Sequence, residues 1–574
     1  MMAGLAWMIV ANAAVLLAAR TAVRRCGTGR PAADLVLFLL FRFAFIMALV
    51  IATGLAGLLT PLGLGLVSAA LLAALLARGE RLDFPWNLDL TPGIPRLALV
   101  FLAIFAARAV FQTLIYVPID GDATSYHLPK VAEWARAGHL LVDLGNDPRA
   151  WFPSGLELVE AWWVIFLHHD VLIELAGLEF LLLAGAATWA LAGWLGLGPF
   201  GSMVASLAVA TAPGLSGQAI SGLNDGAAAG LVLAGAALVV HRAPPALLIF
   251  LGGLAAGVKP TAVYALPGLL LLMFLVRKTP PSPNPGSTAW IAAGLALALG
   301  GFWFARNWVY TGNPLYPAFT KFVYDHLGRP MQRLGPSPAT LIENLKVLVD
   351  FRLYDGRRPY HPILEFSAGW GPAIVACGLP TLVWALRASA RMRTIAVAFA
   401  VSLASVLAQV VTDRFNLRFI LWFPALPALG IGWAVERHRR LAIPAAVALA
   451  FTLLATTFYS HYSASFLNFH CRRDRWTEGA AWLLEIFPDS RVGTYGVFGP
   501  RSYLLYRPDF HVEVVSIRAD SAADLRRELD RHGLDTLYAF SVHPKSPEGG
   551  ILAEAVRQGW LHRITELGIY RARR

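Results

Sequence analysis

Residues 96–140 read RLALVFLAIFAARAVFQTLIYVPIDGDATSYHLPKVAEWARAGHL. The first half, 96–117, is an apolar run long enough to cross a bilayer, which takes roughly 20 apolar residues per helix. The chain then passes two aspartates, Asp120 and Asp122, and turns amphipathic. Val131, Trp134, Ala135 and Gly138 share one face, with Lys130, Glu133 and Arg136 largely opposite. The pattern predicts a membrane helix, an acidic tip, and an interfacial helix lying along the membrane with Trp134 as an aromatic anchor. A carboxylate held over a membrane surface can act as general base, or ligate a metal, on a substrate whose lipid tail stays in the bilayer. An N-cap or turn role is the competing expectation for both aspartates, and the stronger one for Asp120.

The rest of the chain fits that reading. Of its 574 residues, 57% are hydrophobic and 15% charged, and the formal net charge is +12. Mean hydropathy is +0.57. A soluble chain is about half apolar and a quarter charged, so these values exclude a soluble enzyme and a disordered chain. Cys26, Cys377 and Cys471 have no paired spacing, which argues against a disulfide frame or a zinc site. The basic excess sits in short loops between apolar runs, where the positive-inside rule puts it, so no nucleic-acid partner is expected. Further crossing runs lie near 3–19, 33–53, 57–77, 171–193, 223–241, 246–276, 288–306, 366–386, 394–412, 415–435 and 441–459. The first reads as a retained helix, since its arginines follow the apolar stretch rather than precede it.

Loop arginines and lysines predict cytoplasmic turns at 20–30, 78–96, 241–242, 277–278, 387–393 and 437–440. Loops 118–154 and 307–365, and everything after about 461, then fall outside. This division gives three additional N-terminal helices in 1–95, a membrane core in 96–460 and an extracytoplasmic domain in 461–574. Parity demands an even number of crossings between 155 and 222, although that stretch holds three apolar runs. The expectation is that 201–220, broken at Pro213-Gly214, is the partial segment. His168-His169-Asp170 reads as a cytoplasmic turn rather than a metal cluster, because neighbouring helical residues point different ways.

After 470 the charge rises and strands alternate with helices. Helices are expected at Trp476–Ile486, Ala522–Arg531 and Ile551–Gln558, and strands at Arg491–Tyr495, His511–Ser516, Thr536–Phe540 and His562–Tyr570. The alternation predicts a small parallel α/β domain. It has no GxGxxG or P-loop, so a docked cap or an acceptor-side platform is the expected role.

Asp122-Ala-Thr-Ser-Tyr126-His127-Leu128-Pro129 resembles the first outer-loop motif of GT-C-fold integral membrane glycosyltransferases. The likeness is strongest to the bacterial branch related to the protein mannosyltransferase and lipid A aminoarabinose transferase families. Leu223-Asn224-Asp225-Gly226 is similar to that branch's second acidic motif. Arg306-Asn307-Trp308-Val309-Tyr310-Thr311-Gly312-Asn313-Pro314 is similar to its RN…GNP segment. The resemblance, over about 96–460, implies an α-helical multi-pass GT-C-like membrane fold. It also implies sugar transfer from a polyprenyl-phosphate donor to a lipid, glycan or protein hydroxyl acceptor, by an inverting displacement. It implies a bacterial inner-membrane location and a role in cell-envelope glycan biosynthesis. Asp122 and Asp225 become the expected catalytic pair and the ligands of a divalent Mg, Mn or Zn ion. Tyr126, His127, Lys259, Arg306 and Asn313 become expected substrate contacts. Two departures stand out: the three extra helices, and Trp151-Phe152-Pro153-Ser154-Gly155 where relatives often carry an acidic-basic pair.

The residues themselves leave alternatives open. A charge inside a membrane segment is a functional candidate by default. Lys259 and Arg306 can neutralise a departing phosphate, or snorkel and anchor at the interface. Asp225 can serve the site or cap its helix. His127 can be a metal ligand, an acid/base group or a structural histidine. Glu174 and Glu179, inside an apolar run, have no assigned role. Asp413, Arg414 and Arg418 read as an outer turn: a second phosphate contact, or a solvated one. A flippase for a lipid-linked glycan and a non-catalytic GT-C scaffold are the alternative functions.

Overall fold

The computed structural model describes the chain except residues 1, 82–95, 116–117, 119, 143–146, 278–285, 318–337, 350–368, 411–413, 459–490, 497–501, 540–541, 543, 545, 566–567 and 574. It is 75% helical with a small C-terminal sheet. Among the described residues, eighteen α-helices precede the C-terminal sheet. They are α1 Met2–Cys26, α2 Pro31–Leu55, α3 Pro61–Ala77, α4 Arg96–Ile115, α5 Leu128–Ala137 and α6 Gly155–Ile165. Next are α7 Leu175–Trp194, α8 Pro199–Ala210, α9 Pro213–Gln218, α10 Asp225–Val240, α11 Pro245–Val258 and α12 Leu266–Leu275. Then come α13 Gly286–Thr311, α14 Pro338–Val349, α15 Leu379–Ala388, α16 Ala390–Gln409, α17 Ala425–Arg437 and α18 Ala442–Phe458. Among the described residues, five helical segments are long and apolar enough to cross a membrane: α1, α2, Asp170–Trp194, α13 and α16.

Local chemistry sets many of the boundaries. Proline opens α2, α3, α8, α9 and α11, where its missing N–H costs nothing. Thr60 Oγ1 accepts from Gly63 N at the start of α3, and Ser389 Oγ from Met392 N at the start of α16. Close helix contact depends on glycine. A Cβ on Gly300 of α13 would lie 2.1 Å from the Gly253 carbonyl oxygen of α11. This small-residue contact lets the two backbones touch. Helix α10 is buried along nearly its whole length, so its N-terminal Asp225 is fixed in the interior.

The C-terminal region holds β1 Arg491–Tyr495, β2 Glu513–Ile517, α19 Ala522–His532, β3 Thr536–Tyr538, α20 Pro547–Arg557, β4 Leu561–Thr565 and β5 Ile569–Ala572. The sheet order is β2-β1-β3-β5-β4. Strand β1 pairs in parallel with β2 and β3, while β5 pairs antiparallel with β3 and β4. The expected all-parallel sheet is therefore corrected to a mixed one. The single strand expected at His562–Tyr570 is two strands folded back through Gly568, whose φ is +80°. Period-two alternation alone cannot reveal a reversal inside such a run. The helix expected at Trp476–Ile486 lies outside the described residues.

Two further expectations change. Helix α6 and the turn after it stay at one end of the bundle. Gly155 abuts Gly257 near Lys259, and Asp170 meets the C-terminal region. There, Tyr503 Oη donates to Asp170 Oδ2 at 3.0 Å and Asp170 N donates to the Pro508 oxygen at 2.9 Å. His168-His169-Asp170 thus lies at the same end as the C-terminal domain, not opposite it. The run 201–220 does break at Pro213, as expected, into the 12-residue α8 and the six-residue α9, but α6 is equally short at 11 residues, so neither run forms a helix long enough to cross on its own. Helix α5 is also not a surface helix. Trp134 is fully buried and stacks on Trp303 at 6.1 Å, and Lys130 and Glu133 are buried on the other face. Hydropathy reads Lys130 as a solvent group because it cannot see the buried acid that pairs with it.

Candidate functional site

The site grows from the turn before α5. Asp120 Oδ1 accepts from Asp122 N at 2.9 Å, and the Asp120 carbonyl accepts from Thr124 N at 3.0 Å. The chain then enters a π-helical turn, Ala123–His127, closed by Leu128 N on the Ala123 oxygen. A π turn bonds residue i to i+5 and is wider than an α turn. It sits between Asp122 and His127, with Tyr126 and His127 ring centroids 4.2 Å apart.

Asp122 is held by two guanidinium groups from distant parts of the chain. Arg149 Nη1 donates to Oδ1 at 3.1 Å and Arg418 Nη1 to Oδ2 at 2.9 Å. Arg149, in the 3₁₀ turn Pro148–Trp151, is also clasped by Asp147 at 2.8 Å and lies over the Tyr126 ring at 4.4 Å. Arg418 comes from the 3₁₀ turn Arg414–Ile420. Its Nε lies 3.5 Å from Asp225 Oδ2, so one guanidinium bridges both aspartates. Lys259 Nζ binds Asp225 Oδ1 and donates to Asn224 Oδ1 at 2.9 Å. It also lies 4.9 Å from the Phe419 ring centroid. Lys259 takes this position because Pro260 ends α11 and turns the chain into the 3₁₀ segment Pro260–Ala265.

Behind the turn is a second buried group. His127 Nδ1 lies 2.7 Å from Glu157 Oε1. Lys130 Nζ donates to the same oxygen at 2.7 Å and to Ser154 Oγ at 2.8 Å. A small cleft lies beside Asp225 and Lys259. Apart from Thr261, its other walls are apolar, among them Ala228, Ala229 and Val232 of α10, with Val406, Phe419 and Trp422.

These contacts set the acidities. Burial raises the Asp122 carboxyl, but Arg418 and Arg149 outweigh it and hold the group below its ordinary range. Asp120 is pushed up to about 6, first by burial and then by the Asp122 charge. Burial lowers His127, and the opposing pull of Glu157 does not fully restore it, so the ring is neutral at pH 7.

Among the residues expected at a site, the structure brings together Asp122, Asp225 and Lys259, with Tyr126 and His127 alongside. Arg306 lies near Glu157 and Lys130 rather than beside the two aspartates, and Asn313 stands apart. Arg306 Nη2 donates to the Trp151 oxygen at 2.7 Å, and its guanidinium lies over the Trp151 and Trp303 rings. Asn313 folds into its own turn, accepting from Leu315 N at 3.0 Å. Arg149, Glu157 and Lys130 were not candidates in the sequence. Arg418 was, as a second phosphate contact or a solvated turn residue. Its one sequence signal is a charge inside the apolar run 415–435.

A divalent ion bound by Asp122 and Asp225 does not fit these residues. Each of the four carboxylate oxygens already faces a cation: Arg149, Arg418, Lys259 and Arg418 again. Among the described residues, no group of three or more His, Cys, Asp or Glu is placed to hold a metal. The chain matches no protein-family model and no curated protein.

Proposed function

We propose that the protein is an integral membrane glycosyltransferase with a GT-C-like fold. It takes a sugar from a polyprenyl-phosphate donor and passes it to a hydroxyl of a lipid, glycan or protein. In this reading the chain sits in a bacterial inner membrane with its C-terminal domain on the outer side, above the site.

One observation carries the reading. Two aspartates and three cations, drawn from five segments, form one group, and its Asp225 and Lys259 line a small cleft with mainly apolar walls. The most distant partners are 296 residues apart. A charged group opening onto an apolar slot is the complement of an amphiphile with an anionic head and a hydrocarbon tail. Arg149, Arg418 and Lys259 would stabilise the charge that grows on the departing phosphate, where fixed cations count most. Asp122 and Asp225 would hold those cations in place.

The test uses detergent-purified protein and a panel of short polyprenyl-phosphate sugars, following release of polyprenyl phosphate. Wild type should release it with at least one donor, and Asp225→Asn should not. Folded wild type that releases nothing from any donor would end this reading in favour of a flippase or a silent scaffold.

A further inference from the structure

We propose that His127, oriented by Glu157, accepts the proton of the attacking hydroxyl, and that Asp122 does not. The proposal rests on the glycosyl-transfer reading and names the base of that same site. Asp122 is a poor candidate on geometry, because each of its oxygens already receives a guanidinium N–H. The resemblance makes it the expected base, but its neighbours make it an anchor for Arg149 and Arg418.

His127 has the opposite arrangement. Glu157 is a carboxylate, fully buried and ion-paired to Lys130 at 2.7 Å, so at His127 Nδ1 it can only accept. That fixes the tautomer: Nδ1 carries the hydrogen and Nε2 carries the lone pair. Among the described residues no hydrogen bond reaches Nε2. Lys130 and Ser154 hold Glu157 in turn, so the acid, the histidine and the lysine form a built assembly rather than a chance contact. The base-plus-orienting-acid arrangement is the one that makes imidazole an effective general base. The ring is surrounded by Asp122 and Tyr126 on its own segment, Lys130 of α5, Glu157 of α6, Asp225 of α10, and Lys259 after α11.

In the step, the acceptor O–H bond breaks and its proton moves to Nε2. The oxygen lone pair forms the bond to the sugar's anomeric carbon. The bond from that carbon to the phosphate oxygen breaks, and its electron pair leaves on the polyprenyl phosphate. The imidazolium faces Glu157 until its proton passes to water or to the released phosphate. His127 is the catalytic residue here, and Glu157 and Lys130 are positioning residues.

The experiment follows transfer by the full chain in detergent, using the donor found by the release assay. His127→Gln should lose about 100-fold or more in kcat, with donor KM changed by less than about threefold. Added imidazole should restore part of the rate to His127→Ala and none to Asp122→Asn. The wild-type rate should rise with pH through a limb below the ordinary imidazole value of about 6.5. Glu157→Gln should move that limb to lower pH, since the carboxylate favours the protonated ring; a merely structural glutamate would leave it in place. Wild-type kcat in His127→Gln would overturn the proposal. If that variant does not fold, the wild-type profile decides alone: a rate independent of pH between about 4 and 7 overturns it equally. Wild type that turns over no donor is a different outcome, and sinks the glycosyl-transfer reading together with its base.

Discussion

Two of the buried ion-pair groups among the described residues differ in kind. One lies between α1, α2, α6 and α7. Arg42 meets Glu179 in a two-pronged pair at 2.9 and 2.7 Å, Asn12 accepts from Arg42 at 2.9 Å, and Trp163 Nε1 donates to Glu179 at 3.1 Å. The other is the Asp122, Asp225, Arg149, Lys259 and Arg418 group. The first has one acid and one base, matched fork to fork. The second has a guanidinium stretched between two acids, and it borders a cleft. Both break the rule that charge avoids apolar interiors, so burial alone does not distinguish function from packing. What distinguishes them is closure: the first group uses its charges up on itself, and the second presents them to a space.

Removing one partner of the closed pair strands the other charge in an apolar interior, which costs about 3–5 kcal/mol. Glu179→Ala should therefore lower thermal stability in detergent steeply, while the surviving folded protein keeps wild-type transfer per molecule. Arg42→Met with Glu179→Leu should recover most of that stability. Loss of activity in the well-folded double variant would show that the pair is not merely structural.

At the open group the order reverses. Arg418→Ala should cost about 10²–10³-fold in kcat, or roughly 3–4 kcal/mol of transition-state stabilisation, with a smaller effect on stability. Arg418→Lys should remain impaired, because an ammonium is a point charge and cannot span two carboxylates as a planar guanidinium does. An equal drop in melting temperature for Arg418→Ala and Glu179→Ala would erase the distinction drawn here.

The two groups were unequally legible in the sequence. Asp122, Asp225 and Lys259 stand out as charges at the ends of apolar runs, and the structure does bring them together. Arg149, Glu157 and Lys130 do not stand out, because a charge in a polar loop or on an amphipathic helix looks solvated until its partner is located. Lys130 is the clearest case: helical periodicity places it on the polar face, but Glu157, 27 residues away, takes that face into the interior. The crossing problem in 155–222 had the same root. Hydropathy counts apolar residues in 155–168 but not the 11-residue length of α6, nor the contact of Asp170 with Tyr503. The C-terminal strands β1 and β3 and helix α19 were legible because alternation and the Ser521 cap are local signals. The β4–β5 reversal was not.

A smaller effect lies beside the open group. Asp120 is raised from 3.8 to about 6 in the folded state. A raised carboxyl contributes stability below its unfolded value, and that contribution is lost as pH rises through the folded one. Wild type should thus lose about 1–2 kcal/mol between pH 4 and 7, discounted for the partial exposure of the group. Asp120→Asn keeps the cap, since asparagine accepts equally well there. It should melt above wild type at pH 7 and with it at pH 4. Equal melting at both values would mean that burial and the Asp122 charge do not raise the Asp120 carboxyl.

The smallest expected effect is also the most discriminating for the open group. Chelation should change the transfer rate by less than about twofold, because the cations that would assist phosphate departure are side chains rather than an ion. The resemblance implies the opposite, since it makes Asp122 and Asp225 metal ligands. For a divalent ion to take that role, it would have to displace Arg418 from both carboxylates and Lys259 from one, leaving those cations unpaired in the same interior. That exchange is costly unless the arriving phosphate pairs with them. The two possibilities therefore separate in a single measurement on purified protein with EDTA and then added Mn²⁺. An unchanged rate keeps Arg418 as the bridging cation. Loss of activity with EDTA and its return with Mn²⁺ would mean that the bridge opens during turnover, and that the open group differs from the closed one in mobility as well as in shape.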